Sequence, residues 1–220
     1  MFQWEGLILN KIDYNLDKEY WANRYSEMPD SNVVGHIDWD KNKYEAELNS
    51  WAERYITILN TIPFKMTNVL DFGCGVGRWM SLLYQYFSNY YGVDIVQSTI
   101  DKARLNETPF ENINFELMTN ETIPQFNAKF DLIWTCVCLQ HIVDDKLLSN
   151  YISQFNNLLN KDGFIICTEN TSNNKDSNYL KFRSDNNYKM LFAEQSLMLE
   201  YSNTFQSSGE EHTIMFFKKG

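Results

Sequence analysis

Apolar and polar positions along the chain follow two periods that take turns. Short apolar runs of strand length alternate with stretches of helical spacing, and Gly, Asn or Ser mark the changes. The pattern predicts strands at residues 68–72, 90–94, 113–118, 130–138 and 164–168. Helices are expected between them at 77–87, 98–104 and 144–159, the last ended by the turn residues of 160–163. Residues 130–138 are nearly continuous in apolar side chains, as a strand covered on both faces requires. Farther on, 184–194 reads as a helix with Ser184 at its N-cap, and 197–205 and 213–218 read as two strands joined by a polar turn. Strands alternating with helices in this way make an α/β fold, a parallel sheet covered on both faces.

The first 62 residues differ. Tyr20, Trp21 and Tyr25 sit at helical spacing, and Tyr44, Leu48, Trp51, Tyr55, Ile58 and Leu59 form the stripe of an amphipathic helix packing on the sheet. A polar loop at 28–35 separates the two groups, and Pro63 closes the region. The chain therefore divides into an N-terminal helical extension, 1–62, and a core, 63–220.

Composition narrows the function classes. A net charge of −10 argues against nonspecific nucleic-acid binding. Cys74, Cys136, Cys138 and Cys167 show no second pair at zinc spacing, so no metal is expected, and reduced thiols suit the cytoplasm. The N-terminus lacks the marks of a leader, and no run approaches the ~20 apolar residues of a spanning helix, so no membrane contact is expected. Oligomeric state is not legible.

Chemistry concentrates in Val69-Leu-Asp-Phe-Gly-Cys-Gly-Val-Gly-Arg78 and in Tyr91-Gly-Val-Asp94. A strand runs into a glycine-rich turn, then a helix, then a second strand ending on an acid. In an open α/β sheet this order builds a nucleoside site at the carboxyl ends of the strands. The glycines run G-x-G-x-G rather than the G-x-G-x-x-G of dinucleotide sites. Asp71 before them suits a ligand with an ammonium and would repel a diphosphate.

These positions resemble the first two motifs of the class I S-adenosylmethionine-dependent methyltransferases. The resemblance implies a Rossmann-like, seven-stranded, mostly parallel sheet with an antiparallel last strand, helices on both faces and an N-terminal helical lid. S-adenosylmethionine would be the methyl donor. The resemblance assigns it Asp71, Gly73, Cys74, Gly75, Gly77 and Arg78 at the turn, Asp94 at the ribose hydroxyls with Ile95 beside it, and Cys136 on the fourth strand. After strand three, where many relatives carry an Asp for the adenine amino group, this chain has Met118, Thr119 and Asn120.

The block from Phe130 to Ile142 is similar to the family's fourth-strand motif, which leaves the sheet beside the donor. It places Gln140 and His141 between cofactor and substrate, with His141 as a catalytic base. Asn170 joins it as a catalytic residue, and Glu169, Arg183, Tyr20, Trp21 and Tyr25 are expected at the substrate. Arg183 could instead lock its segment in place. His36 and His212 have weaker claims. The function implied is methyl transfer to an oxygen or nitrogen of a small polar metabolite, a sugar or capsule precursor among them. Protein N-terminal α-amine methyltransferases are an alternative. They are similar in the glycine stretch, in the histidine matching His141 and in an acid–Asn pair matching Glu169–Asn170, with Asp176 a rough match to a further acid. A noncatalytic cofactor-binding partner subunit is the alternative of another class.

Overall fold

The computed structural model describes residues 14–27, 40–62, 66–105, 111–119 and 121–220; His36, Asn120, Pro63 and the loop at 28–35 lie outside them. Two helices come first, α1 (Tyr14–Glu27) and α2 (Lys41–Leu59). Then follow β1 (Met66–Phe72), α3 (Met80–Leu83), β2 (Phe87–Asp94), α4 (Gln97–Leu105) and β3 (Ile113–Leu117). β4 (Phe130–Cys136) leads through a 3₁₀ turn, Leu139–His141, to α5 (Asp145–Leu158) and β5 (Leu159–Asn170). α6 (Asp185–Ala193), β6 (Leu197–Ser207) and β7 (Glu210–Lys219) complete the chain.

The seven strands lie in the order β3-β2-β1-β4-β5-β7-β6. β7 runs antiparallel to both neighbours, and every other pairing is parallel. Successive strand residues point to opposite faces, so each central strand feeds two cores. Val69, Leu132, Trp134 and Ile166 pack under Trp51, Tyr55 and Leu59 of α2. Leu70, Phe72, Ile133 and Ile165 pack on the other face, against Leu148, Ile152 and Phe155 of α5 and Tyr188 and Phe192 of α6.

Several boundaries differ from the sequence pattern, and three of the differences have a clear local cause. The helix expected at 77–87 is α-helical only over Met80–Leu83. Bonds spanning three residues flank it, Met80 N–H to Gly77 O and Gln85 N–H to Leu82 O. Phe87 pairs with Met66 and already belongs to β2. The strand expected at 130–138 stops at Cys136, because Val137 takes φ 53° and turns the chain out of the sheet. Leu159 opens β5, and residues 160–163 form an irregularity within that strand instead of a turn before it.

Candidate active site

The turn after β1 lies at the carboxyl edge of the sheet. Gly73 and Cys74 both donate their N–H to Val93 O, at 2.8 and 3.0 Å, which ties the turn to the end of β2. Gly73 has φ 73°, and a Cβ there would stand 2.2 Å from Cys138 Sγ. At Gly75, with φ 55°, a Cβ would meet the Tyr25 hydroxyl at 2.6 Å. Only glycine allows these close approaches.

Asp94 ends β2 beside this turn. Its carboxylate accepts from Gly75 N–H at 3.0 Å and Val96 N–H at 2.9 Å. Burial raises its pKa against those two bonds. Gly73, Gly75, Asp94, Ile95, Met118 and Cys136 line a cavity of about 110 Å³, with Trp21 and Tyr25 of α1 across it. A carboxylate at the strand end, a backbone free of Cβ atoms and the apolar Ile95 and Met118 fit a ribose and a flat base.

A larger cavity of about 300 Å³ lies next to it. α2 contributes Tyr44, Glu47 and Trp51, and the β6–β7 hairpin contributes Ser207, Glu210 and His212. Gln140, Asn170, Arg24 and Arg78 also face it. Trp21, Val137 and His141 line both cavities and form the wall between them. Val137 holds a left-handed backbone that a β-branched residue adopts only at a cost. Its N–H is secured by Thr168 O at 2.7 Å.

His141 has the geometry of a positioned base. Nδ1 lies 2.8 Å from Tyr179 O, so this nitrogen carries the proton and donates it. Nε2 is then the acceptor, with Gln140 Nε2 3.4 Å away. Burial lowers the pKa to about 4, opposed by the Tyr179 carbonyl and assisted by the nearby Arg24 charge, so the ring is neutral at pH 7.

A family model described as a methyltransferase domain matches residues 40–205. The chain belongs to that methyltransferase domain family. Among curated proteins it is similar to a ubiquinone biosynthesis O-methyltransferase of Bartonella tribocorum, 28% identical over 42% of this chain and 38% of that protein. It is also similar to alpha N-terminal protein methyltransferase 1 of Arabidopsis thaliana, 28% identical over 80% of this chain and 63% of that protein. The chain thus spans 38% and 63% of the length of these two relatives, less than two thirds of either. Among solved structures, a S-adenosylmethionine-dependent methyltransferase of Leishmania major superimposes with TM-score 0.77 at 22% identity, over 93% of this chain and 82% of the other. Magnesium protoporphyrin IX methyltransferase of Synechocystis, with bound S-adenosylhomocysteine, gives 0.71 at 15% identity, over 94% and 100%. These structures share the Rossmann-like methyltransferase fold seen here.

In this methyltransferase domain several expected site residues stand elsewhere. Asp71 lies beneath the glycine turn and lines neither cavity. Tyr90 donates its hydroxyl to it at 2.6 Å, and burial raises the pKa of the Asp71 carboxyl to about 7. Cys74 and Gly77 also lie outside the lining, and Thr119 is exposed in a bridge to Thr122. Arg78 faces the larger cavity rather than the smaller, its guanidinium 6.0 Å from the Tyr44 ring centre. Tyr25 lines the smaller one, and Tyr20 lines neither.

Glu169 and Arg183, expected at the substrate, brace the wall from behind. Glu169 accepts three backbone N–H bonds, from Cys138, Leu139 and Gln140, at 2.9–3.2 Å. Arg183 donates to Asp145 and to the carbonyls of Leu139 and Ile142. These bonds join the segment ahead of α6 to the 3₁₀ turn and to the start of α5.

Glu47, Trp51, Ser207 and Glu210 had no sequence signal as site residues. Ser207 and Glu210 reach the larger cavity because β7 inserts beside β5, with Asn170 opposite His212, which brings the hairpin turn back over the site, and Glu47 and Trp51 face it from α2. Asn170 Nδ2 donates to Glu210 at 2.7 Å, and Ser207 donates its hydroxyl to Glu47. Among the described residues neither carboxylate is in an ion pair. Nor is any group of His, Cys, Asp and Glu arranged to hold a metal, and no described helix is long and apolar enough to cross a membrane.

Proposed function

We propose that this chain transfers the methyl group of S-adenosylmethionine to a nitrogen of a small polar acceptor held in the larger cavity. The observation that carries this reading is His141, a neutral imidazole on the wall between the two cavities with its Nδ1 proton committed to Tyr179. Asp94 would hold the ribose hydroxyls, the Gly73–Gly75 backbone would lie along the methionyl part, and Ile95 and Met118 would cover the adenine. When bound, the cofactor supplies an electrophilic methyl on a sulfonium. The space of about 110 Å³ under Trp21 and Tyr25 is below the ordinary size of a ligand pocket, so α1 acts as a lid that lifts to admit it.

Nitrogen is favoured over hydroxyl oxygen by the strength of the base. A histidine with pKa about 4 is too weak to take the proton of an alcohol. It can accept a hydrogen bond from a free amine at Nε2 and so aim the lone pair at the methyl, and positioning of that kind supplies most of the catalysis in an in-line displacement. Glu210 and Glu47 suit an acceptor that arrives as an ammonium ion between the aromatic walls of Tyr44 and Trp51. Its proton passes to water before the free amine bonds to His141, and the nitrogen becomes positive again when the methyl leaves the sulfonium.

A second reading, methylation of a protein N-terminal α-amine, is supported by the Arabidopsis relative's match over 80% of this chain. A tritiated-methyl screen over small amines, sugar nucleotides and peptides separates the readings. Label in small amines is expected; label in peptides alone favours the second reading, and label in sugar hydroxyls alone overturns nitrogen transfer. Cofactor binding without any transfer supports a partner-subunit role. Asp94→Ala should weaken S-adenosylhomocysteine binding by at least about tenfold in calorimetry, the loss of charge-assisted hydrogen bonds. Unchanged affinity would remove Asp94 from the site.

A further inference from the structure

The segment between β5 and α6 runs back along the 3₁₀ turn that carries His141. Lys181 donates its N–H to Gln140 O at 2.8 Å, and Tyr179 O receives His141 Nδ1–H at the same distance. The first bond ties this segment to the turn, and the second fixes the tautomer of the imidazole. The side chain of Tyr179 meets α1: its ring stacks on Tyr20 with centroids 4.1 Å apart and planes 12° apart. The next residue of α1, Trp21, sets its ring edge-on to His141 at 4.6 Å. α1 therefore reaches the base twice, directly through Trp21 and indirectly through the residue whose carbonyl holds Nδ1.

The charged groups around His141 divide by element. Glu169 of β5 and Arg183 ahead of α6 bind the backbone of the turn and stay whatever α1 does. Arg24 belongs to α1 and moves with it. Removing α1 would thus hydrate the ring and withdraw one positive charge while leaving the turn braced.

We propose that Tyr20 and Tyr179 are positioning residues, whose stack couples closure of α1 to the orientation and tautomer of His141, so that the base is aligned when the site is covered. The proposal rests on the functional reading only in taking His141 as the acceptor's partner. An aromatic stack of this kind biases a closing equilibrium by about two- to tenfold, so part of the closed state persists without it.

Nitrogen-15 NMR of the three histidines in the full chain tests the coupling, with His141 assigned from His141→Gln. In the native chain His141 should stay a single Nδ1–H tautomer and titrate near pH 4. In Tyr20→Ala its titration should move up toward the ordinary histidine value, with both tautomers present. Tyr20→Phe, which keeps the ring, should behave as the native chain. Tyr179→Leu, which keeps the carbonyl and removes the ring, should match Tyr20→Ala. Native behaviour in both Tyr20→Ala and Tyr179→Leu, with thermal unfolding unchanged, overturns the coupling; so does Tyr20→Phe behaving like Tyr20→Ala. Calorimetry with S-adenosylhomocysteine runs beside it. Failure to bind there sinks the functional reading, while the histidine response still decides the coupling.

Discussion

Glu169 shows what a motif conveys at the level of one residue. The acid–Asn pair at the end of the fifth strand was legible. The direction of the side chain was not, because it depends on where the next turn passes. That turn presents the N–H groups of Cys138, Leu139 and Gln140 to the carboxylate, which is fully buried. Desolvation outweighs those bonds and raises the Glu169 pKa from 4.5 to about 7. A carboxyl whose folded pKa lies above its unfolded value holds its proton more tightly when folded. Its stabilising contribution is therefore complete below the unfolded pKa and is lost as pH rises toward 7. The loss is on the order of 3 kcal/mol for a shift of this size. Asp71, raised from 3.8 to about 7, acts in the same direction. Denaturant unfolding at pH 5 and 7.5 should show lower stability at the higher pH. Glu169→Gln should lower stability at pH 5, because an amide cannot accept all three N–H bonds, and should make the slope between the two pH values shallower. An unchanged slope would mean that the carboxyl is ionised throughout.

Single elements were legible where side chains alone decide them and illegible where a neighbour does. The helix read at 184–194 is α6, and its start is a local matter: Ser184 accepts from Asn187 N–H while the Asn187 side chain bonds back to the Ser184 backbone. The helix read at 77–87 failed because Phe87 is claimed by Met66 of β1, a pairing invisible in the local pattern. Residues 160–163 carry turn chemistry, and β5 keeps them as an irregularity because β4 holds both flanks, Phe130 opposite Leu159 and Leu132 opposite Phe164. The cap permits a prediction at this scale. α6 is short and buries Tyr188 and Phe192, the latter stacked on Phe217 of β7 with centroids 3.9 Å apart. Ser184→Ala should cost about 1 kcal/mol, a fall of roughly 2–4 °C in Tm for a chain of this size. Ser184→Asp should retain most of the stability. Equal losses in both variants would show that packing, and not the cap, sets the start of α6.

Across the whole molecule the fold assigns the two cavities to different parts of the chain, with one wall in common. The smaller is built at the carboxyl ends of β1, β2 and β4, where the glycine turn and Asp94 were legible from the start. The larger depends on α2 and on the β6–β7 hairpin, which meet only because β7 enters the sheet antiparallel beside β5. Nothing in the local sequence reports that meeting, so Glu47, Ser207 and Glu210 could not be found without the fold. The division makes the effects of substitution separable. Glu210 faces the larger cavity alone, whereas Trp21 stands on the wall shared by both. Glu210→Gln removes a charge and keeps the oxygen that accepts from Asn170. It should raise KM for a cationic amine about tenfold, the scale of one charge-assisted hydrogen bond, and leave S-adenosylhomocysteine affinity unchanged in calorimetry. Trp21→Ala should weaken both, since it opens the roof of one cavity and a side of the other. If Glu210→Gln weakened the cofactor product as much as the acceptor, the two spaces would act as one continuous site, and the assignment of donor and acceptor to separate cavities would have to be abandoned.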